Sequence, residues 1–262
     1  MKKDLKVSLL FAAICFVGGL FLVPYQFKSL QSMLPEEFQA AIDSLTMPFP
    51  IIMIISAIQL AVVSFIISYI GIKLARKVGF TLPVLDSLMK KEKVQFNNSG
   101  VILAIVFGVI TGFAIIGADR FYYQHKIEAI AQANPEFSWL GLVAGVLYGG
   151  VFEELLMRLL FMSLVVWIFM KITRKNYETL NSIFFWLAII LAAALFAIGH
   201  FPATEAVFGE LNTTLIIRSF LLNGLGGIFF GYLYWKKGLE YAILAHMFTH
   251  ISMQLIWIPI LY

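Results

Sequence analysis

Two adjacent carboxylates, Glu153 and Glu154, and a guanidinium, Arg158, stand inside the apolar run from Trp139 to Met170. That run exceeds the about 20 residues a helix needs to cross a bilayer. Each ionisable group at such depth costs roughly 2.5–3.5 kcal/mol on insertion scales, so it reads first as functional. On a helix, Glu154 and Arg158 are about 40° apart around the axis and can pair. Glu153 is about 140° from Arg158 and faces elsewhere. One carboxylate is then neutralised by its own helix and the other is free to act. The plain reading of Glu154–Arg158 is a couple that lets the helix insert, which is a supporting role. The plain reading of Glu153 is solvated surface, and its depth in the run speaks against that.

Three of the four histidines lie in or at the ends of other apolar runs. His200 follows Phe196-Ala197-Ile198-Gly199, and His246 and His250 are four apart, so one helix face presents both rings. Alone, His200 would be an interfacial histidine, and the other two would be satisfied helix-contact residues. Together, Glu153, His200, His246 and His250 would gather a carboxylate and three imidazoles inside a bilayer. That is a poor packing solution and a good way to activate water. His125 falls in a loop and is left aside. Arg218, near a span end, reads as a snorkelling side chain. Asn223 and Gln254 read as polar glue between helices.

The elements that must position these groups are transmembrane helices. Of the 262 residues, 61% are apolar and 13% charged, and mean hydropathy is +0.90. A soluble domain is about 25% charged, so the chain reads as an all-α polytopic membrane protein. The apolar runs are Val7–Val23, Ile51–Gly71, Val101–Ala118, Trp139–Met170, Ile183–His200, Leu215–Trp235 and Leu239–Ile258. Seven spans result, or eight if the fourth run breaks at Gly149-Gly150. The first run, behind Met1-Lys2-Lys3, reads as a retained helix rather than a signal peptide, because no small-x-small site closes it. Loops are expected with Pro24, Pro35, Glu36, Glu37, Asp43 and Pro48, and around Glu205 and Glu210. Glycine stripes at Gly141/Gly145/Gly149 and Gly224/Gly227/Gly231 should let neighbouring backbones approach closely.

The net charge of +4 does not call for nucleic acid, because the basic residues cluster in alternate short loops. With the N-terminus inside, fourteen Lys and Arg fall on the inner side, within residues 2–6, 73–93, 171–175 and 236–237, against Lys28, Arg120 and Lys126 outside. This predicts a cytoplasmic N-terminus in a multi-pass protein, with the plasma membrane as its expected location. The lone Cys15, in an apolar run, reads as a buried structural thiol. We expect one integral domain over residues 1–262, with three helices in 1–137 and the catalytic spans in 138–258.

The ordered set Glu153-Glu154-x-x-x-Arg158, Phe196-x-x-x-His200 and His246-x-x-x-His250 resembles the three-motif pattern of the CPBP superfamily. These are the CAAX-processing and bacteriocin-processing intramembrane proteases, including prenyl-protein endopeptidases that convert Ras and a-factor. The resemblance covers Glu153 to His250. It departs at the last place, where the family usually has Asn or Asp and this chain has His250. The resemblance implies that Glu153 and His200 position and deprotonate a water that attacks a peptide carbonyl. It implies that His246 and the residue at 250 stabilise the oxyanion, with Glu154 and Arg158 in support. A desolvated carboxylate is a usable general base near neutral pH, and fixed donors at the oxyanion are often the largest catalytic contribution. His250 donates only in the right tautomer, whereas Asn always offers an N–H.

The same residues make a second chemistry conceivable. Glu153, His200, His246 and His250 are a good zinc set with an open position for water. The favoured mechanism needs no cofactor, and zinc is the alternative. The expected partner is a membrane-embedded or lipid-anchored peptide in the bilayer, of CAAX or leader type, and no nucleic acid. A proton or cation transporter and a non-catalytic scaffold or immunity protein are the competing functions. One count strains the model. Glu153 lies about 26 Å and His200 about 29 Å above the inner ends of their helices, but His246 only about 14 Å.

Overall fold

The computed structural model describes residues 2–33 and 35–262. Met1 and Leu34 lie outside the described residues, as do the side chains of Pro35 and Glu37, which the expected loop includes. Among the described residues there are helices and no strands. Seven helices are long and apolar enough to cross a membrane: α1 Lys2–Gln31, α2 Phe49–Lys77, α3 Asn98–His125, α4 Trp139–Thr173, α5 Ser182–Phe208, α6 Thr213–Lys237 and α7 Leu239–Leu261. The protein is a multi-pass membrane protein with an all-α fold. The eighth span does not form, because α4 runs unbroken through Gly149 and Gly150.

The helices are inside-out amphipaths. On α2, Ile54, Ile58, Val62 and Ile66 form an exposed row at spacing four, while Ala57, Ser64, Ser68, Gly71 and Ala75 are buried. Small residues face the bundle because water cannot drive helix association within lipid, and close packing must do it. A Cβ on Gly19 of α1 would stand 2.7 Å from Ala57 Cα, and one on Gly71 would stand 2.8 Å from Leu159 Cγ. Of the α6 stripe, Gly227 and Gly231 pack in this way on Ala193 and Ile189 of α5, whereas Gly224 has nothing within 4 Å.

Two expected loops are partly helical. The first helix continues through Pro24 to Met33, Pro35–Asp43 forms a short helix, and Phe201–Phe208 continues α5 beyond His200. The second continuation is held locally: the Thr204 amide and hydroxyl both donate to the His200 carbonyl, at 2.9 Å. Glu205 therefore stands on a helix rather than in a loop. Cys15 is buried, as expected.

The basic ends converge. Arg76 at the end of α2 reaches Asp4 at the start of α1 (2.8 Å) and Asp86 (2.6 Å). Lys237 at the end of α6 donates to Ser99 at the start of α3 at 2.8 Å. The short helix Pro83–Lys90 is capped from α7, where Glu240 Oε1 accepts from the Leu85 amide at 2.8 Å. The charge bias in the sequence therefore corresponds to one physical end of the bundle.

Candidate active site

The local structure of α4 is unusual where the carboxylates stand. Gly145–Glu153 and Leu155–Met162 are π-helical, with α-helical turns before and after. Such wide turns are rare, and they are frequent at functional sites. Three glycines open the stretch, and each has a neighbour where a side chain would be. A Cβ on Gly145 or Gly149 would run into the His250 ring, and one on Gly150 would stand 2.6 Å from Met247 Cγ. The Gly141/Gly145/Gly149 stripe thus admits side chains of α7 rather than a bare backbone. Gly141 does the same for Gln254, whose Oε1 accepts from the Ser138 amide at 2.9 Å. Gln254 is the helix glue it was taken for.

Glu154 and Arg158 form the expected pair, with NH1 at 2.9 Å from Oε1 and both side chains fully buried. The guanidinium is held further by the Gly227 carbonyl, which accepts from NH2 at 3.1 Å, and by the faces of Phe196 and Phe230. A backbone carbonyl is reachable there because residue 227 has no side chain. The second carboxylate is different. Glu153 is 17% exposed, lines a cavity, and has His246 Nε2 at 3.7 Å.

His246 joins the two. Its Nδ1 lies 2.8 Å from Glu154 Oε1, and its ring is stacked between Phe230 (4.8 Å, 25°) and His250 (5.2 Å, 14°). A carboxylate paired with Arg158 accepts, so Nδ1 carries the proton and Nε2 presents its lone pair toward Glu153. The expected difference in depth between these residues does not exist. Their side chains meet directly, with His246 Nε2 at 3.7 Å from Glu153.

His200 ends the regular part of α5, with Nδ1 at 2.8 Å from the Phe196 carbonyl. A carbonyl only accepts, so this ring also has its proton on Nδ1 and a free Nε2. His250 is half-buried, stacked on His246 and seated over Gly145 and Gly149. Glu153, His200, His246 and His250 all line one cavity of about 370 Å³, while Glu154 and Arg158 stand behind its wall. His125 lies outside it, hydrogen-bonded to Gln124 at 3.3 Å.

Other wall residues were not singled out from sequence. Tyr25, Thr111 and Tyr148 had no distinguishing pattern, and all three line the cavity. Thr111 Oγ1 is buried without a hydrogen-bond partner. Asn223 is a wall residue too, and its amide donates to Ser219 O on its own helix at 3.1 Å rather than across helices. Arg218 does not snorkel. It holds Asp119 of α3 with two hydrogen bonds, 2.7 and 2.5 Å, and also lines the cavity.

The zinc alternative can be tested on these residues. Among the described residues, no three His, Cys, Asp or Glu side chains come together as a set that could hold a metal ion. His246 engages Glu154 through Nδ1, which leaves Nε2 as its free ring nitrogen.

The fold defines a multi-pass membrane protein with a cavity inside its helices onto which one carboxylate and three imidazoles open. Residues 135–252 match the family model described as type II CAAX prenyl endopeptidase Rce1-like. The match lies over the segment that carries the three motifs and supports their resemblance to the CPBP superfamily. No curated protein and no solved structure matches the chain.

Proposed function

We propose that this protein is an intramembrane endopeptidase that hydrolyses a peptide bond in a membrane-associated substrate, with a water activated by Glu153. The observation that supports it most is the placement of Glu153. It faces the cavity beside an acceptor imidazole, while the neighbouring carboxylate is locked away by Arg158.

Water between Glu153 and His200 Nε2 gives its proton to Glu153 as its oxygen attacks the carbonyl carbon. The proton passes to His246 Nε2, 3.7 Å from the carboxylate. The resulting imidazolium is stabilised by Glu154 on Nδ1 and presents Nε2–H to the oxyanion. His250 adds a second donor in the tautomer that carries a proton toward the cavity. When the C–N bond breaks, the proton on His246 goes to the departing amine. Glu154 thereby has the role of the carboxylate in a serine-protease triad, holding tautomer and orientation. The positive-inside bias puts the basic end in the cytoplasm and the cavity toward the opposite half. By the family's description, a CAAX-type peptide is the substrate class to try first.

The test is cleavage of a membrane-peptide library by the detergent-purified chain, wild type beside Glu153→Gln, with and without a zinc chelator, and with bound metal counted. Activity that needs Glu153, survives chelation and occurs in metal-free protein supports the mechanism. Activity lost to the chelator and restored by zinc overturns it. Cleavage by neither form, across prenylated and leader-type peptides, favours the scaffold reading.

A further inference from the structure

A second cavity, of about 550 Å³, lies at the basic end of the bundle between the ends of α2 and α4. Its lining is Lys77, Trp167, Met170, Lys171, Arg174 and Lys175: four cations, two apolar side chains and no carboxylate. The acidic groups at this end are engaged elsewhere. Asp4 and Asp86 are held by Arg76, Glu92 lies by Lys90, and Glu240 caps a helix. Glu178, on the linker that follows α4, does not line the cavity.

The positive-inside tendency explains why basic residues lie at this end. It does not explain their collection around a concavity with an indole and a thioether in its wall. The backbone contributes to the collection. Arg174 takes a left-handed conformation, φ 55°, which is uncommon for a residue with a Cβ. That turn closes α4 and brings the Lys175 amide back to the Met170 carbonyl at 3.1 Å. Arg174 and Lys175 are thereby folded over the last turn instead of extending away. Lys171 Nζ lies 5.8 Å from the Trp167 ring, so the cation and the aromatic face form one surface.

We propose that this cavity binds the phosphate headgroup of an anionic membrane lipid. The four cations take the phosphate oxygens, Arg174 as a fork and the lysines as point charges. Trp167 and Met170 lie along the glycerol and the first acyl carbons, as interfacial aromatics do. A free phosphate ion would use the cations and leave the apolar wall without a partner, which is why the lipid is favoured. Bound there, the lipid ties the end of α2 to α4, the helix that carries Glu153.

The full chain, purified in a neutral detergent and stripped of lipid, is titrated in parallel with short-chain phosphatidylglycerol, short-chain phosphatidylcholine and inorganic phosphate. Thermal midpoint and lipids retained in native mass spectrometry are the readouts. Phosphatidylglycerol is expected to raise the midpoint and to be retained, while the other two at equal concentration are not. Lys171→Gln with Lys175→Gln is expected to weaken phosphatidylglycerol binding about thirtyfold, each cation near an anionic headgroup contributing about fivefold. If that protein folds poorly, Arg174→Gly serves instead. It suits the left-handed backbone, keeps the lipid-free midpoint or raises it, and should weaken the lipid about fivefold. Equal responses to both lipids, wild-type affinity in these variants, or inorganic phosphate matching phosphatidylglycerol each overturn the proposal. Because peptide cleavage is not the readout, the result stands apart from the protease reading.

Discussion

The two sides of α4 differ in what they give a carboxylate. Behind the helix, Glu154 and Arg158 are sealed among Phe196, Phe230 and the Gly227 carbonyl, with no exposure at all. In front of it, one residue earlier, Glu153 reaches a cavity it shares with three imidazoles. The same side chain at consecutive positions is thus locked in an ion pair in one place and open to a cavity in the other. Environment makes the assignment, through one guanidinium and one cavity. His246 reaches both carboxylates, with Nδ1 on the dry side and Nε2 on the wet one. Activation and orientation are therefore separable in principle.

Glu153→Gln should have the largest effect on activity. Loss of a general base costs about 10²–10⁴ in rate, while a cavity-facing isostere should leave the thermal midpoint nearly unchanged. The dry side should respond in the opposite way. Arg158→Met leaves Glu154 buried without its cation, so unfolding free energy should fall by about 3–5 kcal/mol, measured by denaturation in detergent. Adding Glu154→Gln removes the stranded charge and should restore most of that stability, since neutral replacements for a buried pair are often tolerated. If Arg158→Met is instead stable and merely inactive, the pair belongs to the chemistry, and the contrast between the two sides fails.

A smaller test concerns the space that lets the helices meet. A Cβ on Gly149 would stand 2.5 Å from His250 Nε2 and 3.4 Å from His246 Nε2. Gly149→Ala should destabilise by about 1–3 kcal/mol through overpacking and should lower activity as the stacked rings shift. Gly224, with nothing within 4 Å of its built Cβ, is the control. Alanine there should be neutral or stabilise by up to about 1 kcal/mol, because glycine is a poor helix residue.

Much of this arrangement was legible in the chain. The seven spans follow from apolar run length, and the Glu154–Arg158 pair from a spacing of four. That His200, His246 and His250 share a cavity with Glu153 was legible only as the improbability of leaving so many polar groups in lipid. What could not be read has local physical causes. The π-helical geometry of α4 depends on what packs over Gly145, Gly149 and Gly150, and those neighbours come from α7, about a hundred residues away in sequence. Arg218 was misread because its partner, Asp119, lies on another helix and no periodicity links them. Thr111 gave no signal, since a lone threonine in an apolar helix usually bonds its own backbone.

Thr111 of α3 is one of the wall residues, with Tyr25, Ile115 and Met253, that lie beyond the segment matched by the family model. Its hydroxyl is buried in the cavity wall with no partner, and Gly226 of α6 fits against its methyl group. An unsatisfied buried hydroxyl costs about 1–3 kcal/mol, so Thr111→Val should raise the thermal midpoint if the hydroxyl has no other role. If the hydroxyl holds substrate or the attacking water, the same change should lower kcat/KM by up to about tenfold, the equivalent of one ordinary hydrogen bond. A more stable and slower enzyme would extend the functional side of the comparison to a third of the helices in the N-terminal half. A more stable enzyme with unchanged kcat/KM would return Thr111 to the packing of α3 against α6 and leave the chemistry to α4, α5 and α7.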